Sequence, residues 1–316
     1  MRPAFSIIVF TSASGAGYGL LALIGTMSAA RLLPPDRLLT ATALSLAIGL
    51  IALGLLSSTA HLGRPERAWR AFSQWRSSWL SREAVAGLFT FVPTGIFAAG
   101  CLFFDPTQPL VAAAGLIMTA SAMTTVFTTG MIYASLKPIA QWNSPLTMPG
   151  FLILAIMSGA VLLGALLALT GTADRLLETL TLIAIGLGWM WKWAAWRYND
   201  ALGVAATANS ATGLEGGTVR SIEWPHTQEN YVLKEMGYRI ARKHAKKLRL
   251  IAQLLAFTIP LAATAVALGV ESAAKIASLV AVLAQAPGIL VERWLFFAEA
   301  KHTVTLYYGL KERRHA

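Results

Sequence analysis

His61 and Glu83 bracket the stretch of this protein best suited to chemistry. It reads His61-Leu62-Gly63-Arg64-Pro65-Glu66-Arg67-Ala68-Trp69-Arg70 and runs on to Trp75-Arg76-Ser77-Ser78-Trp79-Leu80-Ser81-Arg82-Glu83. His61 closes one long apolar segment and Glu83 opens the next, so both are expected at the same membrane edge. Quinone chemistry needs such a pair. Interconverting quinone and quinol moves two electrons and two protons, and the ring oxygens need hydrogen-bond partners. The protons need groups that titrate near neutrality. Histidine does so unperturbed, and desolvation moves carboxyls in general toward that range. Each residue also has a structural explanation. Ser81 is placed as an N-cap with Glu83 in the first helical turn, where the helix dipole favours an anion. His61 could simply cap the preceding helix.

Five arginines (Arg64, Arg67, Arg70, Arg76 and Arg82) and three tryptophans (Trp69, Trp75 and Trp79) crowd this loop. Arg and Trp are enriched where protein interfaces bury most energy, so the loop can dock a partner. The same residues suit a topology signal with an aromatic belt. Trp189, Trp191, Trp193 and Trp196 fit the belt reading better. A third patch runs from Glu292-Arg293-Trp294 through Glu299 to Lys301-His302, followed by Tyr307-Tyr308. Glu292 and Arg293 are expensive in lipid unless paired, buried or wet. His302 could join His61 around one site or reach to the interface on its own.

Other chemistries find little support. The five histidines are His61, His226, His244, His302 and His315; none lies deep in an apolar segment. A bis-His haem inside the bilayer is not expected, and only an edge site between His61 and His302 stays open. One cysteine, Cys101, cannot build an iron–sulfur cluster, a thiolate metal site or an internal disulfide. No metal site or catalytic residue is assigned, and iron–sulfur or thiolate-bound metal centres are expected on another polypeptide. Walker A, Rossmann and zinc spacings are missing from the sequence.

The elements that position these residues are membrane helices. Of the 316 residues 56% are hydrophobic and 13% charged, against about 25% charged in soluble domains. Mean hydropathy is +0.59. Eight segments reach the roughly 20 apolar residues that span a bilayer: approximately 5–29, 38–60, 84–104, 110–134, 148–170, 176–196, 250–270 and 274–298. The apolar run from Phe5 is too long for a cleaved signal peptide and reads as a retained helix. Loops at 61–83 and 197–249 are longer, and the second ends in an amphipathic helix at about 228–249. The reading is a single all-α transmembrane unit over 1–316, eight helices in two packed four-helix bundles. With eight spans, one side carries all but four of the 26 Lys and Arg (the exceptions are Arg31, Arg37, Arg175 and Lys275). The positive-inside rule then puts both termini in the cytoplasm of a bacterial inner membrane. The net charge of +11 follows from these flanking residues rather than from a nucleic-acid surface.

At the residues just quoted the sequence resembles the membrane-anchor subunit of dimethyl sulfoxide reductase-type molybdoenzymes. The matching pieces are His61-Leu62-Gly63-Arg64-Pro65, the loop ending in Ser81-Arg82-Glu83, and Met131-Ile132-Tyr133 with Gln141-Trp142-Asn143. The likeness covers nearly the whole protein except about 200–248, a segment that looks like the version beside sulfite-oxidising enzymes of the same family. The resemblance implies an assembly of three polypeptides: a molybdopterin catalytic subunit, a four-cluster ferredoxin-like iron–sulfur subunit, and this haem-free anchor. It implies a quinone site at His61 and Glu83.

On that basis Arg64 is expected to orient a quinone head group or fix the partner. Trp69 and Trp75 would pack against either, and His302 would join the site. Arg67, Arg70, Arg76 and Arg82 would dock the iron–sulfur partner. The substrate pair is sulfite or a dimethyl sulfoxide-type oxide, which leaves the direction of electron flow open. The rival classes are a secondary transporter, which would place polar groups at mid-membrane, and a structural anchor without its own quinone site. Ionisable residues are expected to keep to the membrane edge.

Overall fold

The computed structural model describes residues 3–60, 62–203, 206–214, 216–219, 222–223 and 240–306. His61, Tyr307, Tyr308 and the 228–239 part of the expected amphipathic helix lie outside the described residues.

Among the described residues every regular element is helical. The long helices are α1 (Phe5–Ala29), α2 (Arg37–Thr59), α3 (Trp79–Phe103), α4 (Pro109–Ala134), α5 (Thr147–Thr170) and α6 (Arg175–Ala201). They are followed by α7 (Ile240–Gln253), α8 (Ile259–Gly269) and α9 (Ala274–Ala298). A 3₁₀ helix, Pro65–Phe72, lies in the Arg/Trp loop. Helices suit a bilayer because they satisfy their own backbone polar groups. Their ends are marked locally. Asp36 Oδ1 accepts from the N–H groups of Leu38 (2.7 Å) and Leu39 (3.3 Å) to start α2, and Asp174 does the same for α6. Gly171, at φ +73°, ends α5 in the left-handed conformation that glycine adopts without strain.

Among the described residues seven helices are long and apolar enough to cross a membrane: α1 to α5, the continuous His244–Gly269 span, and α9. The eighth expected span, α6, has 27 residues, about 40 Å of helix. It falls short on apolarity because its second half carries Lys192, Arg197 and Asp200. Two boundaries differ from expectation. The seventh span begins earlier, because α7 runs into α8 through a π-turn at Leu254–Thr258. Pro260 explains the turn: its ring would clash with the carbonyl four residues back, and a widened turn relieves that. Helix α3 begins at Trp79, so Ser81 is an internal residue and not an N-cap, and no acidic residue occupies the first turn. Trp79 is drawn into the helix by its edge-on contact with Phe127 (6.0 Å) and by Arg82 over its ring (4.3 Å).

Helices α1 to α4 form one group, packed around Tyr18, Phe97 and Met118. Helices α5, α6, α8 and α9 form the second, around Met157, Ile185, Phe257 and Ile289. The groups join where α1 meets α5. Gly19 faces the Ala155 backbone and Gly159 faces that of Gly19 and Leu20, so closely that a Cβ on either glycine would overlap main chain. Helix α2 packs along α1 and barely meets α3.

Candidate functional site

Glu83 projects from α3 into the first group and is 7% exposed. Its Oε1 accepts a hydrogen bond from the Thr129 hydroxyl of α4. Thr129 Oγ1 also lies 3.0 Å from the Thr125 carbonyl one turn back. A hydroxyl has one hydrogen but two lone pairs. It can donate to Glu83 when the carboxyl is ionised. It can donate to Thr125 and accept from Glu83 when the carboxyl carries a proton. The pair can therefore keep a hydrogen bond to Glu83 in either charge state.

Two tyrosines lie within electrostatic range of that carboxyl, Tyr18 of α1 and Tyr133 of α4. Tyr18 is buried, and its hydroxyl sits 3.2 Å from where a Cβ on Gly87 would be. Gly87, one turn beyond Glu83, thus leaves room for the phenol beside the carboxyl. Tyr133 anchors a ring cluster. It stacks on Phe151 (5.6 Å, 14°) and meets Trp142, Phe296 and Phe297 edge-on at 5.2 to 5.5 Å. Offset and edge-on rings attract beyond their buried area. Trp142 also ties this cluster to α9 by donating Nε1–H to the Phe296 carbonyl at 2.9 Å.

The Arg/Trp loop lies at the same end of the bundle. Trp69 is 66% and Trp75 52% exposed, and Arg64, Arg67, Arg70 and Arg76 are exposed with them. Arg70 covers Trp69 (5.7 Å) and Arg76 covers Trp75 (5.4 Å), while Arg82 braces the loop by donating to the carbonyls of Trp75 (3.0 Å) and Arg76 (2.7 Å). The exposed tryptophans stand outward from the bundle. His302 is half-buried after α9. Its Nδ1 accepts from the Val304 N–H at 3.0 Å, and burial holds its imidazole below the usual range. The neighbouring Lys301 N–H donates to Gln141 Oε1 (3.2 Å), which joins this segment to the loop carrying Trp142.

The tryptophans of α6 correct the belt reading. Trp193 alone of the four is strongly exposed. Trp189 stacks near Phe257 (6.4 Å), Trp191 donates to the Leu146 carbonyl (3.0 Å), and Trp196 is buried. Their neighbour Lys192 belongs to an ionic group buried between helices. Lys192 of α6 pairs with Glu292 of α9, and Arg293 Nε lies 3.5 Å from the other Glu292 oxygen. Relative exposures are 8%, 0% and 4%. The Arg293 guanidinium lies over the Phe151 ring at 4.0 Å. The sequence flagged Glu292 and Arg293 as needing partners but missed Lys192, whose signal was a lone cation in an otherwise apolar, Trp-rich run. It also passed over Tyr18 and Thr129, ordinary residues in apolar segments. Among the described residues no three His, Cys, Asp or Glu side chains cluster as metal ligands.

The DMSO reductase anchor subunit (DmsC) family matches residues 1–310. A sulfite dehydrogenase subunit of Allochromatium vinosum is 35% identical across 98% of this sequence and 99% of its own. An anaerobic dimethyl sulfoxide reductase chain of Escherichia coli is 31% identical across 43% of this sequence and 48% of its own. No solved structure matches.

Proposed function

The chain belongs to the DMSO reductase anchor subunit family, and from that premise we propose that it exchanges electrons between an iron–sulfur partner and membrane quinone. The observation that carries this reading is the Glu83–Thr129 pair, a buried carboxyl held ready for either charge state beside the Arg/Trp loop. Quinone contributes the two-electron, two-proton couple. The protein contributes hydrogen-bond partners, a proton carrier and a docking surface.

The donor set suits a quinone head group: a carboxyl, the Thr129 hydroxyl and the Tyr18 phenol lie together, and the sequence supplies His61 as a further imidazole. The cavity lined by Tyr18 and Thr129 has room for about one water and not for a ring, so in this reading the head group enters from the lipid side, where α2 and α3 barely meet. Glu83 gives a proton to a ring oxygen as quinone is reduced and takes one back on the reverse reaction. In this reading His61 serves the second oxygen, Arg64 orients the head group, and His302 joins them from the segment after α9. Exposed Trp69 and Trp75, with Arg67, Arg70, Arg76 and Arg82, receive a four-cluster ferredoxin-like subunit. A molybdopterin-bearing catalytic partner completes the complex. The positive-inside count supports a cytoplasmic loop end in a bacterial inner membrane, with α6 as the eighth span of one anchor unit.

The full-length likeness to a sulfite dehydrogenase subunit favours sulfite as the electron source, with electrons flowing to quinone. The shorter likeness to a dimethyl sulfoxide reductase protein supports the opposite direction. Assaying the purified complex with sulfite and decylubiquinone, and separately with dimethyl sulfoxide and decylubiquinol, decides between them. Sulfite-driven quinone reduction is the expected result. Turnover only with the sulfoxide reverses the direction, and turnover with neither removes the assignment.

A further inference from the structure

Three charged side chains meet inside the bundle at Lys192, Glu292 and Arg293. Ionisable groups buried among membrane helices are costly and characteristically mark ion or proton pathways when they line a water-filled cavity. These three line a common cavity with ≈ 30 Å³ of room for water centres, together with Asn199 and with Gln141 and Ser144 of the loop after α4. A second, with ≈ 10 Å³ of such room, is lined by Ser12, Gly15, Tyr18, Thr129 and Arg293. One water needs about 10–15 Å³ of such volume and two to four polar partners. The larger cavity therefore suits roughly two waters and the smaller roughly one.

The polar atoms are in place. Asn199 Oδ1, Arg293 Nε, Ser12 Oγ and the Tyr18 hydroxyl are buried without a hydrogen-bond partner among the described residues. Buried polar groups are almost always paired, to water where not to protein. Arg293 is the common wall of both cavities, and Thr129, the partner of Glu83, lines the smaller. Glu83 is too buried to meet bulk water directly.

We propose that these two cavities form a water-filled proton path, running from the loop end past Asn199 and the Lys192–Glu292 pair, around Arg293, to Thr129 and Glu83. The inference rests on the quinone reading above. When Glu83 gives its proton to a quinone oxygen, an O–H bond forms there and a carboxylate is left. That carboxylate takes a proton from water in the smaller cavity, which the larger cavity replenishes. The electrons come from the partner's iron–sulfur clusters. The Lys192–Glu292 pair can shift one proton internally and so pass a proton along. Arg293 keeps its own proton and acts as a positioning residue that orients the waters around its guanidinium.

The test uses the complete three-component complex in liposomes, assayed for quinone-linked turnover in H₂O and D₂O. Glu292→Gln removes the exchanging carboxyl. Gly15→Leu plugs the smaller cavity, and nothing lies within 4 Å of a Cβ there, so the helix accommodates it. Both variants should lower kcat about tenfold or more, leave KM for decylubiquinone within about twofold, and raise the solvent isotope effect. If Glu292→Gln fails to assemble, Gly15→Leu decides. Wild-type kcat, or a lowered kcat with an unchanged isotope effect, overturns the path. Glu83→Gln separates the two levels. If it abolishes turnover while the path variants do not, only the path fails. If it too is silent, the quinone reading fails.

Discussion

The Thr129 hydroxyl of α4 holds the Glu83 carboxyl of α3, and the same oxygen lies 3.0 Å from the Thr125 carbonyl. Thr129→Val keeps the shape and removes the hydrogen bond, leaving a buried carboxyl oxygen unpaired. Such losses cost about 1–3 kcal/mol. The variant should melt earlier and should slow quinone-linked turnover about tenfold or more, whereas Thr129→Ser should retain most of both. Thermal melting in detergent and steady-state assay of the complex check this. Equal defects in the Ser and Val variants would show that the hydroxyl is not what matters.

Glu292 stabilises the second helix group by compensating two buried cations, Lys192 and Arg293. Glu292→Leu leaves both without a counter-charge, and removing one partner of a buried pair costs about 3–5 kcal/mol. That variant should lose stability sharply, whereas Lys192→Met, which keeps the Glu292–Arg293 pair, should lose less. A double-mutant cycle on melting temperature measures the coupling.

His302 gives the segment after α9 a pH dependence of known sign. Burial lowers its pKa, so the folded segment binds protons less readily than an unfolded one. Stability from this group is complete above the ordinary imidazole range and falls as pH drops through it. Protonation also removes the acceptor for the Val304 N–H. Protection of the Val304 N–H from hydrogen exchange, taken relative to its intrinsic rate at each pH, should fall as pH drops below the ordinary imidazole value of about 6.5. His302→Gln should flatten that response, and an unchanged response in the variant would assign it elsewhere.

The exposed arginines of the Arg/Trp loop should govern assembly rather than folding. Reversing Arg67, Arg70 and Arg76 to Glu should leave the protein in the membrane with its melting temperature little changed. It should weaken capture of the iron–sulfur subunit, most visibly at low ionic strength, where charge complementarity acts furthest. Undiminished co-purification would move the docking surface off this loop.

The apolar runs made the helices legible in the sequence, because length and hydropathy are local properties. Glu83 was legible for a related reason: a carboxyl at the start of an apolar run stands out. Thr129, 46 residues away, was not. Threonine is common in membrane helices, and only the packing of α3 against α4 reveals which one meets the carboxyl. Lys192 was hidden because Trp189, Trp191, Trp193 and Trp196 suggested an interface, while the fold turns three of the four inward. The start of α3 was misjudged because the serine rule was applied to Ser81, whereas Trp79 packs on Phe127 and carries the helix start back to Ser78.

The central claim is that Glu83 exchanges the proton of quinone chemistry. Sulfite-driven reduction of decylubiquinone by the complex carrying Glu83→Gln tests it most directly, with ferricyanide as an acceptor that bypasses the anchor. The account predicts a loss of about a hundredfold or more with quinone and no loss with ferricyanide. Undiminished quinone reduction by that variant would contradict it.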